Sequence, residues 1–334
     1  MVKTRYLEEP IREDLRGKMV MIGGPRQVGK TTLSRDIIAG KGFSSFRYYT
    51  WDSKEDRKAI LDEALSDSDI IILDEIHKYE KWKPLVKGIY DKKLKNQQII
   101  VTGSARLNVY RRGGDSLQGR YHYYRLHPFS AMELENRSPH IEPMKPLSFS
   151  GEIPQKQLDS LLTYGGFPEP ILNQSPKQLR RWHNDRIERM VKEDIRDISS
   201  INDIGNIQLL VDMLPSKVAS LLSINTIRED LEVSHRSISH WIATLEELYY
   251  AYRIYPYQNN RIRALKKEPK LFLWDWSEVV DPGARFENMV AGHLLKTVHY
   301  LRDTEGFKTE LFYLRDKEKR EVDFLVTVDN TPWF

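Results

Sequence analysis

Eight consecutive residues, Gly24-Pro25-Arg26-Gln27-Val28-Gly29-Lys30-Thr31, fit the spacing G-x-x-x-x-G-K-[ST]. The chemistry of that spacing is a grip on phosphate. Two glycines let the backbone curl until its amides point inward, Lys30 reaches the outer phosphates, Thr31 supplies a hydroxyl to magnesium, and Thr32 completes the contact set. A second group follows about fifty residues on. Ile70-Ile71-Ile72-Leu73-Asp74-Glu75 is an apolar run ending in two carboxylates. Asp74 is placed to hold magnesium through water, and Glu75 to orient and deprotonate an attacking water. By itself this run would be a buried strand with solvated acids at its end; the phosphate loop before it changes that reading.

The surrounding elements are those needed to bring the two groups together. Met19-Val20-Met21-Ile22 forms a strand before the loop, and Leu33, Ile37 and Ile38 repeat at helical spacing after it, with Gly40 and Gly42 as the stop. Phe46 to Trp51 reads as a second strand, followed by a helix near Lys54 to Leu65. Beyond the acidic strand come a helix carrying Trp82, Leu85, Val86, Ile89 and Tyr90 and a strand from Gln98 to Ser104 with a polar tip. Strands alternating with helices predict an α/β fold, a P-loop NTPase of the ASCE or AAA-like kind. Its parallel sheet is covered on both faces and binds its ligand at the carboxyl ends of the strands.

Thr102 and Ser104 then fall near the terminal phosphate as a polar sensor, although Ser104 equally suits a helix N-cap. The extra strand before Asp74 and the glutamate after it set the chain apart from GTP switches and small-molecule kinases. No Asn-Lys-x-Asp guanine-reading motif is present, so the expected ligands are ATP and Mg2+. A glycine-broken basic loop from Arg111 to Arg125 offers a guanidinium to neutralise transition-state charge, within the chain or across a subunit contact. Arg120 is the preferred residue and Arg106 its competitor. Either could instead simply solvate the loop.

With 334 residues and 40% apolar content, the chain is expected to form two or three domains. A net charge of +4 permits nucleic acid binding without demanding it. Zero cysteines exclude disulfides and thiolate zinc sites. His235 and His240, five apart, diverge on a helix and do not form a metal pair. No apolar run approaches a membrane span and the N-terminus lacks a signal core, so a soluble, cytoplasmic protein is expected.

Several motifs together resemble the prokaryotic AAA-type ATPases that carry a winged-helix segment and a restriction-nuclease-like C-terminal domain. They are the phosphate loop, Leu73-Asp74-Glu75-Ile76, Thr102-Gly103-Ser104-Ala105-Arg106 and Ser116-Leu117-Gln118-Gly119-Arg120. Later segments agree: Tyr164-Gly165-Gly166-Phe167-Pro168-Glu169-Pro170, Phe286-Glu287-Asn288 and Glu321-Val322-Asp323-Phe324. The resemblance implies ATP hydrolysis together with assembly, as a homo-oligomer or ring, or engagement of duplex DNA. It supplies no substrate.

The expected organisation is an ATPase core over 1–140, a helical lid or linker over 141–214, a winged helix-turn-helix over 215–268 and an incomplete nuclease-like α/β domain over 269–334. The charged run from Leu179 to Asp197 reads as a helix whose charges match within its own surface, a solvated lid or subunit contact. Past Ser216 the punctuation is helix-turn-helix, with Ser234 capping a helix whose stripe is Ile238, Ile242, Leu245 and Leu248. Its outer face offers His235, Arg236, Ser237, Ser239 and His240. Arg253 to Tyr257 and Lys270 to Trp274 are candidate wing strands. Around them Arg261, Arg263, Lys266, Lys267 and Lys270 outnumber Glu268, which suits phosphate contact; packing between subunits is the rival reading.

In the restriction-nuclease pattern Glu287 and Asp323 would hold a divalent metal, but an acid-x-Lys on a following strand is absent, the last lysine being Lys319. The expectation is therefore of ordinary polar positions. Two alternatives to an assembling or DNA-engaging ATPase stay open: a nucleotide-switched DNA-binding regulator with little turnover, and an ATPase linked to an incomplete metal-dependent nuclease.

Overall fold

Five short runs dominated by apolar and aromatic residues assemble the first half of the molecule. The computed structural model describes residues 3–103, 107, 117–137, 141–146, 151–198, 203–258, 267–316, 318 and 320–334. The chain divides into two compact units, Met1–Pro139 and His140–Phe334.

In the first unit, β1 (Met19–Gly23), β2 (Phe46–Thr50), β3 (Ile70–Asp74), β4 (Gln98–Thr102) and β5 (Tyr121–Arg125) pair in the order β2-β3-β4-β1-β5. Every pairing is parallel. Parallel neighbours need crossovers, and helices supply them: α1 (Glu8–Asp14) precedes β1, α2 (Thr32–Ala39) follows it, α3 (Lys54–Leu61) follows β2 and α4 (Trp82–Lys92) follows β3. Both faces are covered, which is why β1 and β3 are buried at every position. One core cluster joins Ile71, Leu73, Ile99 and Val101 to Trp82, Val86 and Ile89 of α4. The glycine stop falls at Gly42, where the helical stretch Gly40–Gly42 ends and Phe43 turns extended.

The register places the chemistry. Asp74 lies opposite Thr50 on one side and Thr102 on the other, while Ile22 lies opposite Thr102, so the ends of β3, β4 and β1 share one rim of the sheet. The phosphate loop leaves β1 at that rim.

The second unit begins with helices. These are α6 (Gln155–Tyr164), α7 (Pro168–Asn173), α8 (Pro176–Arg189, continuing through Met190–Asp194 and Ile195–Ile198), α9 (Ile204–Met213), α10 (Ile224–Asp230) and α11 (His235–Glu247). The short α5 (Ala131–Leu134) closes the first unit. Ser234 caps α11 by accepting from the Ser237 amide at 3.0 Å, and Ile238, Trp241, Ile242 and Leu245 form its buried stripe.

A second sheet follows. β6 (Ala251–Pro256), β7 (Lys270–Leu273), β8 (Thr309–Arg315), β9 (Glu321–Val328) and β10 (Thr331–Pro332) are ordered β10-β9-β8-β6-β7, with α12 (Pro282–Thr304) packed against it. The two candidate wing strands do pair antiparallel, Ala251 opposite Leu273. They are not a free-standing wing, since β6 also pairs in parallel with β8. One sheet therefore carries strands from both sides of residue 268.

Candidate functional site

The phosphate loop is a set of unusual backbone angles imposed by close packing. Gly24 has φ +144°, and a Cβ there would lie 2.5 Å from the Leu126 carbonyl oxygen, so no side chain fits. Gly29 has φ +96° and Gln27 φ +62°, which completes the curl. Pro25 and Val28 are buried, Arg26 is half-buried and Gln27 is exposed. Lys30 is buried, and its ammonium donates to the carbonyls of Pro25 at 2.7 Å and Gly24 at 3.1 Å. The lysine is thus curled over the inside of its own loop, where a phosphate oxygen would replace those carbonyls as acceptor.

The acidic strand arrives beside it. Asp74 is buried, and its partners are three hydroxyls: Thr31 Oγ1 at 3.2 Å and Tyr48 OH at 2.5 Å on Oδ2, and Thr102 Oγ1 on Oδ1. Hydroxyls satisfy a carboxylate's lone pairs without cancelling its charge. Thr31 and Asp74, 43 positions apart, therefore stand together as two oxygen ligands of the kind magnesium takes, one a neutral hydroxyl and the other a full negative charge. Thr102, expected near the terminal phosphate as a polar sensor, donates its hydroxyl to Asp74.

Glu75 sits in the left-handed region, φ +57° and ψ +19°, anchored by its amide donating to the Thr102 carbonyl at 3.0 Å. Strain of this kind gathers at working sites. Its carboxylate lies 3.7 Å from His77 Nε2 and 3.5 Å from Lys78 Nζ. Burial raises its pKa above the ordinary glutamate value, Asp74 adds to the rise, and Lys30, Lys78 and Arg26 oppose it. A carboxylate with raised proton affinity beside an anion site has the character of a general base.

Sequence reasoning missed the brace beneath the loop. Arg5 is buried and donates to the carbonyls of Val28 at 2.9 Å and His127 at 2.5 Å, and to Glu133 Oε1 at 2.8 Å. Glu133 in turn accepts from the Ser130 amide and hydroxyl, both at 2.9 Å. The signal was available, because Ser130-x-x-Glu133 is a capping-box pattern. Tyr48 was read only as a strand residue.

Arg120 requires a correction. It precedes β5, and its carbonyl accepts from the Met19 amide at the start of β1, so it stands at the far rim of the sheet. A five-residue strand spans roughly 15 Å, which separates Arg120 from its own phosphate loop. There it forks onto Asp91 at 2.8 and 3.2 Å. It does not serve this chain's own loop. Ser104 and Arg106 lie outside the described residues.

In the second unit, His235, Arg236 and His240 are exposed on α11, and Ser237 is engaged in the cap. Lys267 is exposed; Arg261, Arg263 and Lys266 lie outside the described residues. Lys270 is not free for phosphate, as it is buried among carboxylates: Glu321 at 2.6 Å, Asp323 at 3.0 Å and Glu287 at 3.1 Å. Glu287 and Asp323 are therefore brought together as the nuclease pattern expects. The position between them that a divalent ion would need is taken by an ammonium, so the residues present do not fit a metal.

A second ionic group lies deeper. His183, Asp275 and Glu278 approach one another within 4.8 Å. Arg186 donates to Glu278 at 2.8 Å, Tyr250 OH to the other Glu278 oxygen at 2.9 Å, and the Ser277 hydroxyl to Asp275 at 2.6 Å. His183 Nε2 stands 3.3 Å from Asp275. Burial lowers the imidazole's pKa, but contact with Asp275 more than compensates and the net direction is upward. Arg186 faces Glu278 and the imidazole faces Asp275, while burial pushes the Glu278 carboxyl upward against Arg186. Arg186 thus pairs outside its helix, contrary to the expected self-matched surface.

Residues 16–135 match a family model described as an AAA domain; residues 155–278 and 282–334 each match a model described as a domain of unknown function. An uncharacterized protein of Mycobacterium tuberculosis is 21% identical over 100% of this chain and 73% of its own length. One from Methanocaldococcus jannaschii is 23% identical over 94% and 73%. Among solved structures, the Walker-type ATPase of Pyrococcus abyssi aligns with TM-score 0.47 and 14% identity, covering 85% of this chain and 96% of that one. The first unit has the parallel α/β fold of a P-loop NTPase, and its residues 16–135 are similar to the AAA domain model. Among the described residues, no helix is long and apolar enough to cross a membrane.

Proposed function

We propose that this chain binds and hydrolyses Mg-ATP, with Glu75 as the general base. The observation that carries the reading is the meeting of Lys30, Thr31, Asp74 and Glu75 at one rim of a parallel sheet, with hydroxyls as the hydrogen-bond donors to Asp74 among the described residues. Mg-ATP, when bound, supplies the scissile phosphate and a divalent charge. The chain's own residues do the remaining work. Loop amides and the Lys30 ammonium orient the anion, Thr31 Oγ1 and Asp74 offer oxygen to the cation side, and Glu75 takes the proton of an attacking water. The raised proton affinity of Glu75 favours that transfer, and the same shift makes turnover fall with acid sooner than for an ordinary glutamate.

Two variants test the assignment. Glu75→Gln keeps the shape and removes the base. Binding of a fluorescent ATP analogue should persist while phosphate release drops at least about 100-fold; unchanged release removes Glu75 from the mechanism. Lys30→Ala should abolish nucleotide binding, and undiminished affinity contradicts the loop assignment.

The nucleotide state is further proposed to govern assembly of a homo-oligomer or the grip on duplex DNA. Exposed His235, Arg236 and His240 at the start of α11, and exposed Lys267 further along the chain, support a DNA face. Duplex binding whose salt slope falls on neutralising Lys266 and Lys267 supports it. Affinity indifferent to salt and to both residues assigns that stretch to surface only.

A further inference from the structure

A cavity of about 320 Å³ lies at the rim of the first sheet opposite the phosphate loop. The turn from Leu15 to Met19, the end of α4 with the turn after it, and the first residues of β4 wall it. Ligands of such sheets gather at the carboxyl ends of the strands, so this place at the amino ends is separate from the nucleotide rim. Arg16, Lys18, Lys93 and Lys95 line the cavity, and among the described residues no Asp or Glu does. Their sequence neighbours are matched, Lys92 with Glu63 and Asp91 with Arg120. Inside the cavity that pattern breaks. Lys93 donates to the Gln97 carbonyl at 2.8 Å, whereas the side chains of Arg16, Lys18 and Lys95 have neither an acidic nor a hydrogen-bond partner among the described residues. Four like charges around one concavity repel one another and focus a positive potential into it, and a bound anion relieves both.

The rest of the wall indicates what the anion is attached to. Leu15, Met19 and Tyr90 supply carbon surface. Gln97 is fixed in place, its Nε2 donating to the carbonyls of Ser66 and Ser68, both at 2.9 Å. Gln98 beside it keeps a buried side-chain oxygen that accepts no hydrogen bond among the described residues. An acceptor left in that state is unfavourable, and rotation about the amide's soft terminal torsion brings it to a donor on a ligand. The volume is at the small end of ligand cavities and suits one compact molecule.

We propose that this cavity is a second binding site, for a small phosphorylated molecule whose uncharged part carries a hydrogen-bond donor. Arg16, Lys18 and Lys95 take the phosphate, the guanidinium fork matching its oxygens. The carbon body rests on Leu15, Met19 and Tyr90, and its donor reaches Gln98. None of these residues belongs to the phosphate loop, so the site stands apart from the ATPase reading.

The test uses the full chain carrying Lys30→Ala, which removes the loop's cation, with AMP and inorganic pyrophosphate as separate probes in isothermal titration calorimetry. AMP offers a phosphate, a carbon body and donors; pyrophosphate offers charge alone. AMP is expected to bind one equivalent with a dissociation constant below about 1 mM, at least about tenfold more tightly than pyrophosphate. Arg16→Gln combined with Lys95→Gln, both at exposed positions, should weaken AMP at least about tenfold, and Gln98→Leu by roughly two- to tenfold, in chains shown by circular dichroism to be folded. Absence of AMP binding, AMP binding indifferent to Arg16 and Lys95, or pyrophosphate binding as tightly as AMP each overturns the proposal. Heat that survives the double substitution belongs to the phosphate loop, which separates failure of this site from failure of the Lys30 assignment. A 5′-phosphorylated short single strand that displaces AMP with the higher affinity would assign the cavity to nucleic-acid ends and overturn the small-molecule reading.

Discussion

Asp74 at the end of β3 in the first unit and the group of Glu321 and Asp323 on β9 with Glu287 on α12 in the second are both carboxylate sites, yet their partners differ in charge. Asp74 receives hydrogen bonds from Thr31, Tyr48 and Thr102, all neutral. The second group surrounds the ammonium of Lys270. A hydroxyl orients a carboxylate and leaves its charge to attract a cation from solution; an ammonium both orients and neutralises. The same residue type is thus held ready in one place and satisfied in the other. Glu133, clamped by Arg5, belongs with the satisfied kind.

The comparison can be broken by removing the internal cations. Arg5→Ala should have the largest effect on stability, about 3–5 kcal/mol, because it leaves Glu133 charged and buried without its partner. Denaturant titration checks it, and a loss below about 1 kcal/mol would place Glu133 with the open carboxylates. Asp74→Asn is the converse, since it removes an available charge from a site whose hydroxyl partners remain. Turnover should fall about 100- to 1,000-fold, equivalent to about 3–4 kcal/mol, with the melting temperature nearly unchanged. Substantial unfolding would show that Asp74 is structural.

Tyr48→Phe sharpens the comparison with a smaller effect. It deletes one neutral donor to Asp74, worth about 0.5–1.5 kcal/mol, and should shift the Mg2+ concentration for half-maximal turnover by roughly two- to tenfold while leaving metal-free nucleotide binding alone. An unmoved Mg2+ profile removes Tyr48 from the positioning of Asp74.

The smallest expected signal is a slope. His183 binds its proton more tightly folded than unfolded, through Asp275, against burial and the nearby Arg186, with Glu278 and Ser277 also facing it. Its contribution is therefore complete below about pH 6.5, the unfolded value, and declines as pH rises through the folded one. Asp275, lowered by His183 and Arg186 against its burial, contributes above about pH 4 and loses that contribution in acid. His183→Gln should flatten the stability profile between pH 6 and 8 read by urea titration at each pH; an unchanged slope would detach the imidazole from the ion pair.

Much of the first unit was legible because its signals are local. Ile70 to Leu73 is a run that only a doubly covered strand explains, and the glycine spacing from Gly24 to Gly29 announces a curled backbone before any neighbour is known. The charged groups of the second unit were misread for the opposite reason. Arg186 was matched to its own helix and met Glu278, 92 positions away; Lys270 was counted with a basic surface and met acids 17 to 53 positions away. Proximity along a helix is computable from a sequence. Proximity across a sheet is not.

By itself the sequence determined the phosphate loop, the acidic strand after it and the alternation of strands with helices, since each follows from a residue's own backbone preference or from apolar period. Only the tertiary structure decided which carboxylates stay open and which are filled, that Arg120 stands at the wrong rim for its own loop, and that Arg5 braces Val28. The physical reason is that a charge's state depends on what lies within a few ångströms of it, and sheet register and helix packing choose those neighbours from distant parts of the chain.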